Sequence, residues 1–454
     1  MGVLFFVASA VVGQSFTTPL PGTLVRAAAV NGPEGRPGIA LLVAANPNRK
    51  GAKTLLFLDP ERRTLTRLAA GLHEEVNTVV GFDLSGSGAS APIAGMPGVL
   101  FTAGGGGARQ VLDQPDVDLR SVTGATQGRP WIAAARAGLL ELLGPAPGGG
   151  LARQKTFPLP VKAERQKWGL RLTSPPVMLL PGEPALFAVG PEEVGRRRIK
   201  TLLVPADGSP GTAGIESWSL LPEGERLVSD RRYLRVDGTP ALAATTFEKI
   251  GLLARKRFRL FLLGQDRSRK GSGPVFSAET DCPLWFPLDP VAADADGDGR
   301  QDLVLVHPGG MRGRETIVSV YRGLGEGRFD PDPRGWKLND EPRDWLYGPD
   351  LTGDNVPDLL LYVKDRLLLY PGDPKGSRPL AGRPAWSVAV AGAPKKESRE
   401  DDDDESVEES DRQDIGPDRS RWLLGFDLPG GGRAVLAQGF QKDGKSVVTV
   451  VWRR

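Results

Sequence analysis

Four carboxylates stand at positions 1, 3, 5 and 9 of one short run, Asp294-Ala-Asp296-Gly-Asp298-Gly299-Arg300-Gln-Asp302, and an apolar segment from Leu303 to Val306 follows. Alternate acids around a tight turn point at a common centre. Hard oxygen donors in this number suit calcium, which takes six to eight of them. Gly299 supplies the backbone freedom the turn needs, and the carbonyl of Arg300 is the expected further protein ligand. An EF-hand would require a bidentate Glu at position 12 and a helix behind it. Position 12 here is Leu305, within a β-branched and apolar run. The loop therefore opens a strand.

A second copy begins 56 residues later, Asp350-Leu-Thr352-Gly-Asp354-Asn355-Val356-Pro-Asp358, again followed by an apolar run. Thr352 replaces the acid at position 3. Asn355 replaces the turn glycine, a substitution that backbone sterics tolerate because Asn enters the left-handed region more readily than most residues. With the Val356 carbonyl in the place of that of Arg300, the expected calcium ligands are Asp350, Thr352, Asp354, Val356 and Asp358. One fewer carboxylate predicts weaker binding than at Asp294, Asp296, Asp298, Arg300 and Asp302.

These two runs resemble the FG-GAP/VCBS repeat, the calcium-loop blade of integrin-α-like β-propellers. Thr316 to Phe329, with its Gly-rich turn before an aromatic, is similar to that family's third strand and the turn after it. The resemblance implies an all-β chain folded as one propeller of four-stranded blades, each calcium loop joining the first and second strands of its blade. It also implies a role in adhesion and recognition.

Degenerate copies keep the tail of the motif, a turn residue, then Pro, then an apolar strand. They are Gly35-Arg-Pro37, Gly95-Met-Pro97, Gly128-Arg-Pro130, Gly182-Glu-Pro184 and Asp237-Gly-Thr-Pro240; a last copy, Asp427-Leu-Pro-Gly430-Gly-Gly432, keeps the acid and glycines. All six lack the final Asp, so calcium is expected only at the two complete loops. Most intervals are about 55 to 60 residues, room for four strands and their loops. The step from Pro97 to Pro130 is too short. Either the Gly95 copy is displaced by an insertion after Asp83-Leu-Ser-Gly-Ser-Gly88, or it starts no blade. Eight blades are favoured over seven.

Composition agrees: 59 Gly and 40 Pro in 454 residues fit an architecture with a turn every eight to twelve residues. Helical periodicity is nearly absent, and no run reaches the eighteen apolar residues of a membrane span. The chain finishes inside a strand-like segment, Ser446 to Val451, and Phe16 to Leu20 also has strand composition. The N-terminal segment is therefore expected to complete the C-terminal blade and remove free sheet edges. Residues 1–13 form an apolar run ending in small residues, which reads as an export signal without a basic n-region; an N-terminal strand or a misassigned start codon is the alternative. Residues 14–454 are the propeller.

Within it, the stretch at about 395–415 carries the run Glu400 to Glu405 and a net charge of about −7, against +3 for the whole chain. It cannot bury apolar surface, so it reads as a disordered acidic insertion. Cys282 is the one cysteine, which excludes an intrachain disulfide. Basic clusters occur at Arg196 to Arg198, Arg255 to Arg259 and Arg267 to Lys270. In the second, alternation puts Arg257, Arg259 and Phe261 on one face and Phe258, Leu260 and Leu262 on the other, as in an outer strand with a solvated face. Aromatics do not alternate with the arginines on that face, which disfavours nucleic acid.

Catalytic constellations are thin. There are two histidines, His73 and His307, and no HExxH or GxSxG run. The nine tryptophans are spread along the chain and read as mostly core. The expected protein is a monomeric, calcium-stabilised, exported bacterial binding, adhesion or scaffold module. It would be secreted, periplasmic or on the cell surface, and would recognise a protein or polysaccharide. The alternative is a carbohydrate-active lyase or hydrolase on the propeller's central face.

Overall fold

The computed structural model describes residues 14–453 except 47–48, 50, 85–86, 88, 97–98, 105–106, 114–131, 137–138, 147–149, 159–161, 167–168, 174–176, 181–185, 196, 206–213, 251–252, 265–269, 281–288, 310–314, 376–377, 391–422 and 442–444. Outside the described residues lie the expected N-terminal signal, the acidic stretch, Cys282, the turn residues of the Gly128 and Gly182 copies and most of the Arg267 cluster.

Antiparallel sheets follow one another along the chain, seven of them four-stranded and one showing three strands among the described residues. They close into an eight-bladed β-propeller. Blade 6 runs Asp289–Ala293, Asp302–Gly309, Glu315–Tyr321 and Arg334–Leu338, and blade 7 runs Asp344–Tyr347, Leu359–Val363, Arg366–Tyr370 and Trp386–Ala389. Between the third and fourth strands of blade 6, Gly323–Gly325 and Arg328–Phe329 form the Gly-rich hairpin.

The strands are apolar on both faces because each blade packs against two neighbours. In Asp302–Gly309, Val304 and Val306 join the cluster shared with blade 7, and Leu303 and Leu305 join the one shared with blade 5. Leu359 and Leu361 of blade 7 likewise face blade 6, while Leu360 and Tyr362 face blade 8. The period of two that fixes side-chain direction in a strand thus becomes a period of two between neighbours around the ring. One such cluster lies at each junction, including Leu24, Ile39 and Leu41 of blade 1 against Leu436, Val448 and Val450 of blade 8.

Blade 8 contains Leu423–Asp427, Arg433–Phe440 and Ser446–Arg453, and its outer strand comes from the other end of the chain. Gln14–Pro19 pairs antiparallel with the last strand, Gln14 opposite Trp452 and Pro19 opposite Val447. The expected closure is present.

The motif copies fall at one topological position. The Asp294, Asp350, Asp237 and Asp427 runs and Gly35-Arg-Pro37 each connect the first and second strands of a blade. The Gly95 copy does not. It spans the turn between Ala91–Met96 and Val99–Gly104, the second and third strands of blade 2. Residues 83–90 make the connection expected of it. Pro-Gly is a general turn signal, which is why the sequence offered a spurious copy there.

The basic strand Leu253–Leu262 also differs from expectation. It is the third strand of blade 5, and two of its arginines are largely buried: the side chains of Arg257 and Arg259 are 20% and 11% exposed and converge on the buried carboxylate of Glu225. Arg257 Nη1 reaches Glu225 at 3.0 Å and Glu248 at 2.9 Å, Arg259 Nε donates to Glu225 at 3.0 Å, and the Thr246 hydroxyl donates at 2.7 Å. Burial alone would raise the Glu225 carboxyl, but the hydrogen bonds from Arg259, Thr246 and Arg257 outweigh it and hold it below the ordinary range. Trp218, Trp345 and Trp452 are buried as expected. His307 is buried, with Nδ1 3.0 Å from the Pro308 carbonyl.

Two outcomes follow. Deleting residues 14–19 removes the strand that closes the ring and should cost on the order of 3 kcal/mol, read as a lowered unfolding midpoint; a midpoint equal to wild type would contradict the closure. Glu225→Ala leaves two arginines facing an unbalanced interior and should cost about 3–5 kcal/mol in urea unfolding at neutral pH. Because the folded-state pKa of Glu225 is depressed, its contribution is present above the ordinary Glu pKa of about 4.3 and is lost as pH falls below it. The gap between wild type and Glu225→Gln should therefore narrow in acid, and a gap that widens would count against the network.

Candidate metal centre

The Asp294 loop joins the first two strands of blade 6, and its shape comes from its own acids. One oxygen of Asp294 accepts the N–H groups of Gly297 at 2.7 Å and Asp298 at 3.1 Å, and the other accepts that of Gly299 at 2.9 Å. Asp296 Oδ1 accepts from the Asp298 N–H at 3.2 Å, and Asp298 Oδ1 accepts from the Arg300 N–H at 2.9 Å. These Asx-type bonds turn the side chains inward. Gly299 has φ 84°, the left-handed conformation that the sixth position demands.

Asp302, at position 9, is fully buried at the start of the second strand. Its Oδ2 accepts from the Ala295 N–H at 3.1 Å and its Oδ1 from the Gly323 N–H at 2.8 Å. It therefore staples the loop to the end of the third strand.

One oxygen each from Asp294, Asp296 and Asp302 lie within 4.8 Å of one another. Ligands 2.3–2.6 Å from a common calcium lie no more than about 5 Å apart, so this spacing is one that such a cation spans. The three-acid cluster could hold a metal ion. Asp298 stands outside it: its Oδ2 takes Arg322 Nη2 at 2.9 Å, and Asp296 Oδ2 lies 3.5 Å from both Arg322 Nε and Arg334 Nη2. Arg300 is exposed at the loop tip.

The electrostatics separate these acids. Burial pushes the Asp302 carboxyl above its ordinary range; the Gly323 N–H opposes this, and the neighbouring charge of Asp296 adds to it. Asp298 is lowered, first by its bond to Arg322 and then by the Arg300 N–H. Asp302 is thus the acid whose charge the loop alone does not balance, and a bound cation would supply that balance.

The Asp350 loop repeats this framework. Asp350 accepts from the N–H groups of Gly353 and, at 3.1 Å, Asn355, while Asp354 Oδ1 accepts from the Val356 N–H at 3.0 Å. Asn355 has φ 65°, as its replacement of glycine requires. Asp358 is fully buried; it accepts from Leu351 and Thr352 at 2.7 and 2.9 Å on one oxygen and from Gly372 at 3.1 Å on the other. Burial raises its pKa, again opposed by the Gly372 N–H. The Thr352 hydroxyl lies 3.3 Å from Asp358 Oδ1 and 3.5 Å from Asp350 Oδ1. A hydroxyl thus spans two carboxylates where the first loop places a third acid.

Sequence reasoning missed two kinds of residue here. Gly323 and Gly372 donate the N–H groups that fix the position-9 acids, and the repeated Tyr321-Arg-Gly323 and Tyr370-Pro-Gly372 triplets were the available signal. Arg322, Arg334 and Arg453 approach the loops from later strands, and nothing local marks them.

No protein-family profile matches the chain. Over 120 residues, 24% of the chain, it is 32% identical to phosphatidylinositol-glycan-specific phospholipase D of Rattus norvegicus, and the match spans 13% of that protein's length. Among solved structures it is similar to the periplasmic gluconolactonase PpgL of Pseudomonas aeruginosa, with TM-score 0.34 and 13% identity over 80% of this chain and 85% of that one. It is also similar to the WD40 domain of SCAP from fission yeast, with TM-score 0.37 and 12% identity over 75% of this chain and 80% of that one. Among the described residues, no helix is long and apolar enough to cross a membrane.

The loop framework predicts a contrast measurable in chelator. Asp302→Ala leaves the Ala295 and Gly323 N–H groups without their acceptor inside the protein and should cost about 2–4 kcal/mol. Asp298→Ala removes an exposed ion pair and should cost at most about 1 kcal/mol. Equal losses by denaturant titration would show that Asp302 is not the staple.

Proposed function

We propose that this chain is a calcium-stabilised propeller of the FG-GAP/VCBS type, exported from the cell, which uses its ring surface to bind a protein or polysaccharide partner. One observation carries the reading: three carboxylates gathered within 4.8 Å in a loop that joins the first and second strands of a blade. That is both the chemistry and the topological place that the sequence resemblance requires. Asp294, Asp296 and Asp302 are the core ligands. The Arg300 carbonyl and Asp298, once its carboxylate leaves Arg322, bring the protein ligands to five, and water or a bidentate carboxylate fills the rest of the six to eight positions that calcium takes. The Asp350 loop, with Thr352 at position 3, has the poorer ligand set.

Calcium here serves the scaffold. A cation in the Asp294 loop would offset the charge of Asp302 and lock the start of the second strand to the end of the third, fixing the rim of blade 6. Loops this simple fill at the millimolar calcium of extracellular spaces, which supports export. A rigid rim is what a recognition surface needs, because a preordered surface loses little conformational freedom on binding.

Thermal unfolding of the full chain tests the reading. Calcium at about a hundred times its dissociation constant should stabilise the native state by about 2.7 kcal/mol relative to chelator. Asp294→Asn should lose most of that gain. A midpoint indifferent to calcium in the wild-type chain would sink the assignment. For the partner, glycan-array and pull-down binding should be retained in calcium and weakened in Asp294→Asn; binding identical in calcium and chelator would separate recognition from the metal.

A further inference from the structure

The two loops share one framework but differ in what lies over it. In the first, a β-carbon placed on Gly297, the fourth loop residue, would meet only the Pro374 side chain, at 3.4 Å. In the second, a β-carbon on the equivalent Gly353 would overlap the guanidinium of Arg453. The same guanidinium lies 3.4 Å from Asp350 Oδ1. Arg453 belongs to Ser446–Arg453, the last strand of the chain, which pairs with Gln14–Pro19 on one side and Arg433–Phe440 on the other. It crosses from the closing blade to the loop of blade 7.

We propose that Arg453 is the built-in cation of the Asp350 loop, neutralising it in place of a metal, so that in the native chain only the Asp294 loop takes a divalent ion. The inference rests on the metal reading of the first loop and deepens its ordering of the two sites. The hydrogen-bond pattern supports it from every side of the loop. Asp350 Oδ1 is shared by the Gly353 N–H, the Thr352 hydroxyl and Arg453, and its Oδ2 by the Asn355 N–H. Asp358 is bonded through both oxygens to backbone N–H groups. Among the described residues, the three-acid metal grouping occurs at the first loop, and no such group includes Asp350.

The arginines of the first loop act differently. Arg322 and Arg334 touch Asp296 and Asp298, while both oxygens of Asp294 and of Asp302 accept backbone N–H groups. Arg453 instead lies against the position-1 acid itself, where a divalent ion would meet a like charge at contact distance. Glycine at position 4 is what leaves room for the guanidinium. One side chain thus sets metal selectivity between two copies of a motif and ties blade 8 to blade 7.

Isothermal titration with calcium chloride on the full chain, stripped beforehand with chelator, counts ions per chain. Arg453→Ala should bind one ion more than wild type, and Arg453→Ala/Asp350→Asn should lose that ion again. Equal counts in wild type and Arg453→Ala would overturn the proposal, as would an added ion that survives Asp350→Asn. Should Arg453→Ala not fold, Arg453→Gln removes the charge while keeping a polar side chain and carries the same comparison; Arg453→Lys, which keeps the charge, should match wild type. Failure of the first loop reads separately: no ion in wild type but one in Arg453→Ala would remove the Asp294 assignment and leave that of Arg453 standing.

Discussion

Everything in this molecule depends on each sheet having two neighbours. A blade apolar on both faces is insoluble alone and complete only between others, so the ring must close for any blade to be buried. The last junction is where this is hardest to meet, because the two ends of the chain arrive there. Sharing blade 8 between Gln14–Pro19 and the C-terminal strands solves it by hydrogen bonding. Leu20 and Leu24 then fill the same cluster as Val448, Val450 and Trp452, so the closing contact is also an apolar one.

Once the ring is closed, the connections between first and second strands sit at repeated positions and vary without cost to the core. Most are reduced to a short turn. Two keep a nine-residue loop whose ninth residue, Asp302 or Asp358, is buried at the start of a strand and bonded to backbone N–H groups on both sides. A carboxylate in that place fixes the loop but carries a charge that burial opposes. The first loop groups acids that could hold a cation, and the second sets a threonine hydroxyl and an arginine from the next blade beside its acids. These are two solutions to one electrostatic problem.

Much of the fold was legible in the sequence, because the period of two, the turn residues and the repeated motif are local signals. The strand at Leu303 to Val306, the closure by Phe16 to Leu20 and the equivalence of Asn355 to Gly299 all rest on such signals. What the sequence hid was partnership across strands. Arg257 and Arg259 looked like a solvated face because charge in a strand usually is one, and only the approach of Glu225, some thirty residues away in the same blade, buries them. Nothing local marked Arg453 as a partner of Asp350. Asp298 looked like the equal of its neighbours until Arg322, just past the third strand of the same blade, set it apart. Spacing records which residues a turn brings together and is silent on which side chains arrive from elsewhere.

The central claim is that the Asp294 loop is a calcium site. The most direct measurement is a crystal structure of the full chain grown in calcium, with anomalous data collected to locate the ion. The account predicts an anomalous peak between Asp294, Asp296 and Asp302, with six to eight oxygens at about 2.3–2.6 Å and the Asp298 carboxylate turned from Arg322 toward the ion. A loop in saturating calcium with no peak at that centre, and Asp298 still paired with Arg322, would contradict it.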